Sequence, residues 1–169
     1  LGITSNISAN PSLPLGTNEI NIIEMTAAYA AFANEGYKIT PHLIKKVEDS
    51  EGNVLYEFKE KKDLILNQNL VYILNELLTS TYDSSFVDYN YPTILSIASK
   101  MSRKYSVKTG TTASDLWTIG YNPQVITSVW VGYDNNRNIE TKKYGKARDI
   151  WIDSMETYLK GKEKLWYKK

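Results

Sequence analysis

Residues 105–112, YSVKTGTT, place a lysine, a glycine and several hydroxyl side chains in one extended run. In a β-strand successive side chains point to opposite faces, so Thr109 and Thr111 are predicted to face the same way. Two hydroxyl groups beside the ammonium group of Lys108 predict a receptor for a carboxylate. Gly110 has no side chain, so a ligand backbone can lie close to the strand. A backbone N–H here could also stabilise a developing oxyanion, which contributes about 3 kcal/mol in acyl transfer.

An edge position for this strand would add a second mode of binding. The free N–H and C=O groups of an edge strand can pair with an extended peptide. The alternative interpretation is a polar strand end without a ligand, because four residues form the whole signal. The predicted hairpin of aromatic and β-branched residues that follows, 115–133, favours the binding interpretation.

The composition excludes several other kinds of site. The 169 residues include no cysteine, which removes disulfides, thiolate metal ligands and a cysteine nucleophile. His42 is the only histidine, so a histidine-rich metal site cannot be built, and we expect this residue at the surface. A net charge of +1 gives no indication of a nucleic-acid-binding protein. No apolar run reaches the roughly 20 residues that span a bilayer, and no stretch of these residues has the pattern of a signal peptide.

The patterns along the chain predict the elements that position this segment. Helices are predicted over 19–35, 68–81, 94–102 and 147–160, and strands over 42–49, 53–59, 105–112, 115–121 and 125–133. The short connections between the last three strands favour an antiparallel meander, because parallel strands need a long crossover. The predicted fold class is therefore α+β, with helices packed on an antiparallel sheet.

Some local expectations are specific enough to be checked. Asn67 is the predicted cap of the second helix, and Gly36 is expected to close the first in a left-handed conformation. The apolar face of the second helix is expected to consist of Leu70, Leu74, Leu77 and Leu78. The lysine-rich end, 160–169, is interpreted as a frayed tail with Trp166 exposed.

Three segments resemble the penicillin-binding proteins. SVKTGTT, followed by DLWTIGYNP and VWVGYD, resembles the third motif of that family, in which K-T-G accompanies S-x-x-K and S-x-N. LPLGTNEINIIEMTAAYAAFANEGYKITPHLIKKVEDSEGNVLY looks like the family's segment ahead of this motif, and GKARDIWIDSM looks like its closing helix. These segments cover nearly the whole chain in the right order. The similarity is greatest to the transpeptidase domain of class A, or bifunctional, members, and it implies part of the penicillin-binding-protein/serine β-lactamase-like fold.

The resemblance implies roles for five residues. Lys108 would supply positive potential for the substrate carboxylate and for the proton-transfer network. Thr109 and Thr111 would hydrogen-bond that carboxylate, and the Thr111 N–H would form half of the oxyanion hole. Gly110 would keep the strand clear for the acyl donor, and Thr112 would border the cleft. The resemblance implies neither a metal nor a cofactor.

Two of the family's motifs are missing. No serine stands three places before a lysine, and the nearest approximation is Thr157–Lys160 inside the closing helix. S-x-N occurs once, at 8–10, but in the family that motif precedes the segment that LGI begins here. We therefore expect residues 1–169 to be the C-terminal half of a transpeptidase domain, with both motifs upstream. The start at Leu1, which is not methionine, agrees with a boundary inside a longer protein.

The implied parent is a peptidoglycan DD-transpeptidase. It would bind a stem peptide ending in D-Ala-D-Ala, form a serine acyl-enzyme and pass the acyl group to an amine. The implied partners are this peptide, β-lactams and the upstream half of the domain. The location would be the extracytoplasmic face of the bacterial membrane, with the anchor outside this chain. The chain alone would be inactive, because the nucleophile is missing.

Two alternatives remain at this point. One is a hydrolase of the same fold, a DD-carboxypeptidase or β-lactamase, which K-T-G alone does not separate from a transpeptidase. The class A similarity of the flanking segments argues against it. The other is a non-catalytic module that binds peptides through the same strand, 105–112.

Overall fold

The computed structural model describes residues 1–168. The helices are α1 (Ile22–Ala33), α2 (Gln68–Leu77) and α3 (Lys146–Leu159), and the strands are β1 (Lys46–Glu48), β2 (Val54–Glu57), β3 (Ser106–Thr111), β4 (Asp115–Asn122) and β5 (Val125–Gly132). Short 3-10 helices occupy Leu13–Leu15, Leu78–Tyr82, Ser84–Phe86, Leu95–Lys100 and Thr141–Lys143. No helix among these residues is both long and apolar enough to cross a membrane.

Strands β3, β4 and β5 form an antiparallel meander in that order, which confirms the predicted connection. The turn between β4 and β5 is fixed by Asn122, whose side-chain oxygen accepts hydrogen bonds from the N–H groups of Gln124 at 2.9 Å and Val125 at 3.1 Å. Strands β1 and β2 pair with each other as a separate hairpin and are shorter than predicted. His42 is exposed as expected, and its ring stacks on Phe58 at 3.6 Å.

Helix α3 covers one side of the meander, here called the α3 face. The core on this side consists of Ile94, Ile97, Tyr105, Val107, Trp151, Ile152, Met155 and Leu159. The indole of Trp151 lies directly against Gly120 of β4, and its Nε1 donates to the Gly120 carbonyl oxygen at 3.3 Å. A Cβ atom at Gly120 would come within 2.3 Å of the ring, so only glycine allows helix and sheet to approach this closely.

Helices α1 and α2 lie on the opposite side, the α1 face. Tyr121 follows Gly120 and therefore points away from α3, and its ring lies 6.4 Å from that of Tyr29 in α1. Helix α1 begins at the Asn21 cap, whose side chain accepts from the Ile23 N–H at 2.8 Å. After α1 the chain turns at Gly36, which has φ +94, as the sequence predicts.

The predicted apolar face of α2 is correct at Leu74 and Leu78, which are half-buried, and wrong at Leu70 and Leu77. Leu70 and Leu77 are 66% and 62% exposed, whereas Val71 and Asn75 are buried. The inward face is centred on Val71 and Asn75 and includes the half-buried Leu74 and Leu78 beside them. The predicted cap is confirmed, because the Asn67 side chain accepts from two N–H groups of the first turn. The helix predicted over 94–102 is a 3-10 helix, Leu95–Lys100.

The prediction of a frayed C-terminal tail is also wrong. Trp166 is half-buried, and its Nε1 donates to Glu76 Oε1 of α2 at 2.6 Å. Tyr167 is 8% exposed, and its hydroxyl donates to the carbonyl oxygen of Ala33 at 3.1 Å. Two aromatic residues thus hold a lysine-rich segment against α1 and α2, because the apolar surface that they bury outweighs the cost of ordering the chain.

Candidate functional site

Strand β3 carries the lysine and threonines and forms an edge of the meander within the described residues. Its register with β4 pairs Lys108 with Ile119 and Gly110 with Trp117, which places Lys108 and Gly110 on the α1 face. Thr109 and Thr111 pair with Thr118 and Leu116 and lie together on the α3 face. The hydroxyl groups of Thr109 and Thr111 therefore share one face of the edge strand, and the ammonium group of Lys108 lies on the opposite face.

The Lys108 side chain is exposed, and its Nζ donates to the Thr109 carbonyl oxygen at 2.6 Å. No carboxylate forms an ion pair with Lys108 among residues 1–168. An ammonium group without an ionic partner beside an edge strand gives a local positive potential. That potential favours an anionic ligand group.

Gly110 lies opposite Trp117 of β4, and Trp117 lies opposite Trp130 of β5. These three residues form a row across the α1 face. A Cβ atom at Gly110 would sit 3.4 Å from the Trp117 Cβ, an ordinary contact, so packing within this chain does not require a glycine there. The missing side chain instead leaves open space over the strand, which a ligand backbone can occupy.

The turn that follows Thr111 is held by Asp115. The carboxylate accepts hydrogen bonds from the Ser114 hydroxyl at 2.7 Å, the Trp130 indole N–H at 2.9 Å and the Thr112 hydroxyl at 3.0 Å. These donors stabilise the charged form and lower the pKa of Asp115, with Ser114 making the largest contribution. The Asp115 carboxylate therefore fixes the conformation of this turn.

Other sequence-predicted positions lie apart from this edge. Ser8 is in the exposed N-terminal segment, where its N–H donates to the Asn18 side-chain oxygen at 2.8 Å. Thr157 is exposed on α3, across the sheet from Lys108. Within residues 1–168 no group of three or more His, Cys, Asp or Glu side chains could hold a metal ion.

The family model for the penicillin-binding protein transpeptidase domain matches residues 4–150. The chain belongs to this family. The match contains α1, α2 and the complete meander with the Lys108 strand, and it confirms the resemblance found in the sequence.

Relatives of the transpeptidase family include penicillin-binding protein 2D of Bacillus subtilis (strain 168), which is 41% identical over 99% of this chain and 24% of its own length. Penicillin-binding protein 1A of Aquifex aeolicus (strain VF5) is 34% identical over 89% of this chain and 20% of its own length. The chain thus spans about a quarter or less of the curated relatives it matches.

Solved structures confirm the fold. Penicillin-binding protein 1A from Haemophilus influenzae aligns with a TM-score of 0.84 and 25% identity over 96% of this chain and 30% of its own. The PonA1 protein from Mycobacterium tuberculosis in complex with penicillin V aligns with a TM-score of 0.81 and 24% identity, over 99% of this chain and 50% of its own. The predicted penicillin-binding-protein-like α+β fold is therefore correct.

Sequence reasoning missed one residue that supports the site. Asn75 is buried in α2 and contacts β3 two residues before Lys108, through the Ser106 hydroxyl. The available signal was an asparagine four residues after Val71, within an otherwise apolar helical pattern. A polar residue on the inward face of a helix indicates a buried hydrogen-bond network.

Proposed function

We propose that this chain supplies one side of the active-site cleft of a peptidoglycan DD-transpeptidase. This side, residues 108–112, binds the substrate and stabilises the oxyanion. The observation that carries the proposal is the edge strand β3, on which Lys108 lies on one face, without an ionic partner among residues 1–168, and Thr109 and Thr111 lie on the other. Membership of the transpeptidase family supports the assignment. The nucleophilic serine belongs to a part of the domain upstream of these residues.

The substrate is a stem peptide that ends in D-Ala-D-Ala. Its terminal carboxylate accepts hydrogen bonds from the hydroxyls of Thr109 and Thr111, and Lys108 supplies the compensating positive charge. The peptide lies along the outer edge of the strand beside Gly110, where no side chain obstructs it. The Thr111 N–H donates to the carbonyl oxygen as negative charge develops there, and Thr112 borders the cleft.

The reaction has two acyl-transfer steps. The serine oxygen forms an ester with the penultimate D-Ala carbonyl carbon while the peptide C–N bond breaks, and the departing D-Ala amine takes a proton. An amine on a neighbouring stem then forms an amide with the acyl group, and the serine regains its proton. A β-lactam enters the first step in place of the peptide, and its amide C–N bond opens as the ester forms. The PonA1 protein, which shares this fold, forms a complex with penicillin V.

The upstream half of the domain completes the fold. Within residues 1–168, β5 has no strand on its outer side. An apolar cavity of about 280 Å³ lies near that edge, lined by residues that include Ile22, Ile23 and Ile126. Exposed apolar surface of this kind calls for a covering segment. The parent protein acts at the extracytoplasmic face of the bacterial membrane, where peptidoglycan is assembled.

The test is intact-protein mass spectrometry with and without a penicillin, under denaturing and native conditions. The isolated chain should acquire no adduct, because it lacks the serine of S-x-x-K. When the upstream half of the domain is co-expressed, the native mass should show a complex, and the adduct should lie on the upstream piece. A covalent adduct on the isolated chain would contradict the proposal.

A matched pair of variants tests the role of Lys108 in acylation. Lys108→Ala should lower the acylation rate of the complex by about 100-fold or more, as expected when a site loses its electrostatic stabilisation. Lys100→Ala is the control, because this lysine is exposed and pairs with Asp153 at 3.5 Å. Equal rates for the two variants would exclude a role of Lys108.

Transfer to an amine separates the transpeptidase from the two alternatives. A carboxypeptidase or β-lactamase of the same fold would release the acyl group to water in the presence of an acceptor amine. A non-catalytic module would bind the peptide and form no adduct in any combination. The relatives named above favour the transpeptidase.

A further inference from the structure

The β3–β4 turn, Thr112–Ser114, follows directly after Thr111. Its backbone is closed by the Thr112 N–H, which donates to the Asp115 carbonyl oxygen at 2.9 Å. The Thr112 hydroxyl oxygen accepts from the N–H groups of Ser114 at 3.1 Å and Asp115 at 2.9 Å. The same hydroxyl donates to the Asp115 carboxylate, so the position of Thr112 depends on that carboxylate.

The Asp115 carboxylate is in turn tied to the far strand of the sheet. Its Oδ1 accepts the indole N–H of Trp130 at 2.9 Å, while Oδ2 accepts the two hydroxyl donors of the turn. The Trp130 ring lies over Gly132, where a Cβ atom would come within 2.3 Å of the ring. Gly132 therefore permits the ring position from which the indole reaches Asp115.

We propose that Asp115 is a positioning residue for acyl transfer, which links Trp130 of β5 to the turn after Thr111 and so holds the oxyanion-binding N–H in place. This inference rests on the proposed function, since it assumes that the Thr111 N–H faces the reacting carbonyl. Asp115 itself contacts neither the substrate nor the serine. It acts through Thr112 and the strand end.

The rest of the turn limits what the loss of this carboxylate would do. The backbone bond from Thr112 to Asp115 remains, and so does the Ile139 N–H, which donates to the Ala113 carbonyl oxygen at 2.8 Å. The meander should therefore persist in an Asp115 variant, while the strand end becomes less well fixed. Displacements below about 1 Å in an oxyanion site reduce the rate with little effect on ligand binding, because the oxyanion bond matters chiefly in the transition state.

The experiment compares Asp115→Ala, Asp115→Asn and Asp153→Ala. Asparagine keeps an oxygen that accepts from the Trp130 indole, and its amide nitrogen can donate to the Ser114 hydroxyl oxygen. It is therefore the conservative variant. Asp153 is an exposed carboxylate on α3 that serves as the control. In the 169-residue chain, the ¹H–¹⁵N spectrum should show faster exchange of the Trp130 indole proton for Asp115→Ala only.

The functional measurement uses the complex of this chain with the upstream half, and benzylpenicillin as the probe. Asp115→Ala should lower the limiting acylation rate at least ten-fold and change the non-covalent dissociation constant less than three-fold. Asp115→Asn should restore the rate to within about three-fold of the original. A rate within two-fold of the original for Asp115→Ala would overturn the inference, as would equal losses in Asp153→Ala.

Failure of the proposed function gives a different result. If the unsubstituted complex forms no adduct, the transpeptidase assignment is wrong, and so is the catalytic part of this inference. If the complex acylates normally but the indole proton exchanges equally fast in all variants, only the positioning role of Asp115 is wrong.

Discussion

The Asn75 side-chain oxygen accepts a hydrogen bond from the Tyr121 hydroxyl at 2.8 Å, at a position where Asn75 is 1% exposed. The Asn75 side-chain nitrogen donates to the Phe32 carbonyl oxygen at 3.2 Å, and the Asn75 backbone carbonyl oxygen accepts from the Ser106 hydroxyl at 2.9 Å. One buried residue therefore joins α1, α2, β4 and the start of the Lys108 strand. Burial raises the pKa of Tyr121, which keeps its hydroxyl protonated and able to donate.

Asn75→Asp should make the stability of the chain depend on pH. A protonated carboxyl group at this position can replace the amide as donor and acceptor, but the ionised form loses the donor and carries a buried charge. Burial raises the folded pKa of the new carboxyl group above the unfolded value of about 3.9, so stability should be lost as pH rises from about 4 through the folded pKa. Near pH 7 the variant should lose at least about 2 kcal/mol, measured by urea unfolding at several pH values.

The control for this variant is Asn69→Asp, the same change at an exposed position in α2. A carboxylate in the first turn of a helix is neutral to favourable, so its stability should stay constant or rise with pH. A flat pH profile for Asn75→Asp would contradict the buried network.

Gly120→Ala should destabilise the chain by about 3 kcal/mol. The added methyl group would lie 2.3 Å from the buried Trp151 ring, and neither the helix nor the sheet can move without disturbing the core. Chemical denaturation monitored by circular dichroism measures the loss. A change below about 0.5 kcal/mol would show that α3 and the sheet adapt easily.

Gly110→Ala should leave the stability of the chain intact and weaken ligand binding. The methyl group would make an ordinary contact with Trp117, and alanine in a strand is favoured over glycine by about 0.5–1 kcal/mol, so stability should be unchanged or higher. In the complex with the upstream half, the same methyl group should weaken benzylpenicillin binding by crowding the edge strand. Unchanged binding would mean that the ligand does not lie beside Gly110.

The N-terminal segment should detach from α1 in strong acid. Hydrogen bonds from the Ser5 and Thr4 hydroxyls lower the pKa of Glu24 from 4.5 to about 2. The resulting stabilisation is present above pH 4.5 and is lost as pH falls towards 2. The amide signals of Thr4 and Ser5 should titrate with a midpoint near 2, and Glu24→Gln should abolish this titration. A midpoint near 4.5 would indicate that these hydroxyls do not hold the carboxylate in solution.

Tyr167→Ala should release the C-terminal tail. The variant removes a buried ring and should cost about 3 kcal/mol, whereas Tyr167→Phe removes only the bond to the Ala33 carbonyl oxygen and should cost about 1 kcal/mol. Trypsin should then cleave faster at the lysines of 160–164. Tyr89→Ala, at a position that is 88% exposed, provides the control and should leave the cleavage rate unchanged.

The sequence by itself determined the features that depend on local chemistry. Strand alternation placed Thr109 and Thr111 on one face, and the short connection at Asn122 required an antiparallel meander. The motif around Lys108, with its flanking segments, was sufficient to indicate the family, because its residues lie close together in the chain.

Only the tertiary structure decided features that join distant residues. The burial of Asn75 on the inward face of α2 follows from the hydrogen bonds of its side chain to Phe32 and Tyr121, which the leucine periodicity does not predict. The lysine-rich tail is ordered because Tyr167 reaches a site formed by α1 and α2, where its partner Ala33 lies 134 residues earlier in the chain. Periodicity indicates which side of a helix or strand is apolar. The side that becomes buried is the one whose polar groups find hydrogen-bond partners and whose apolar groups find surface to pack against on a neighbouring element.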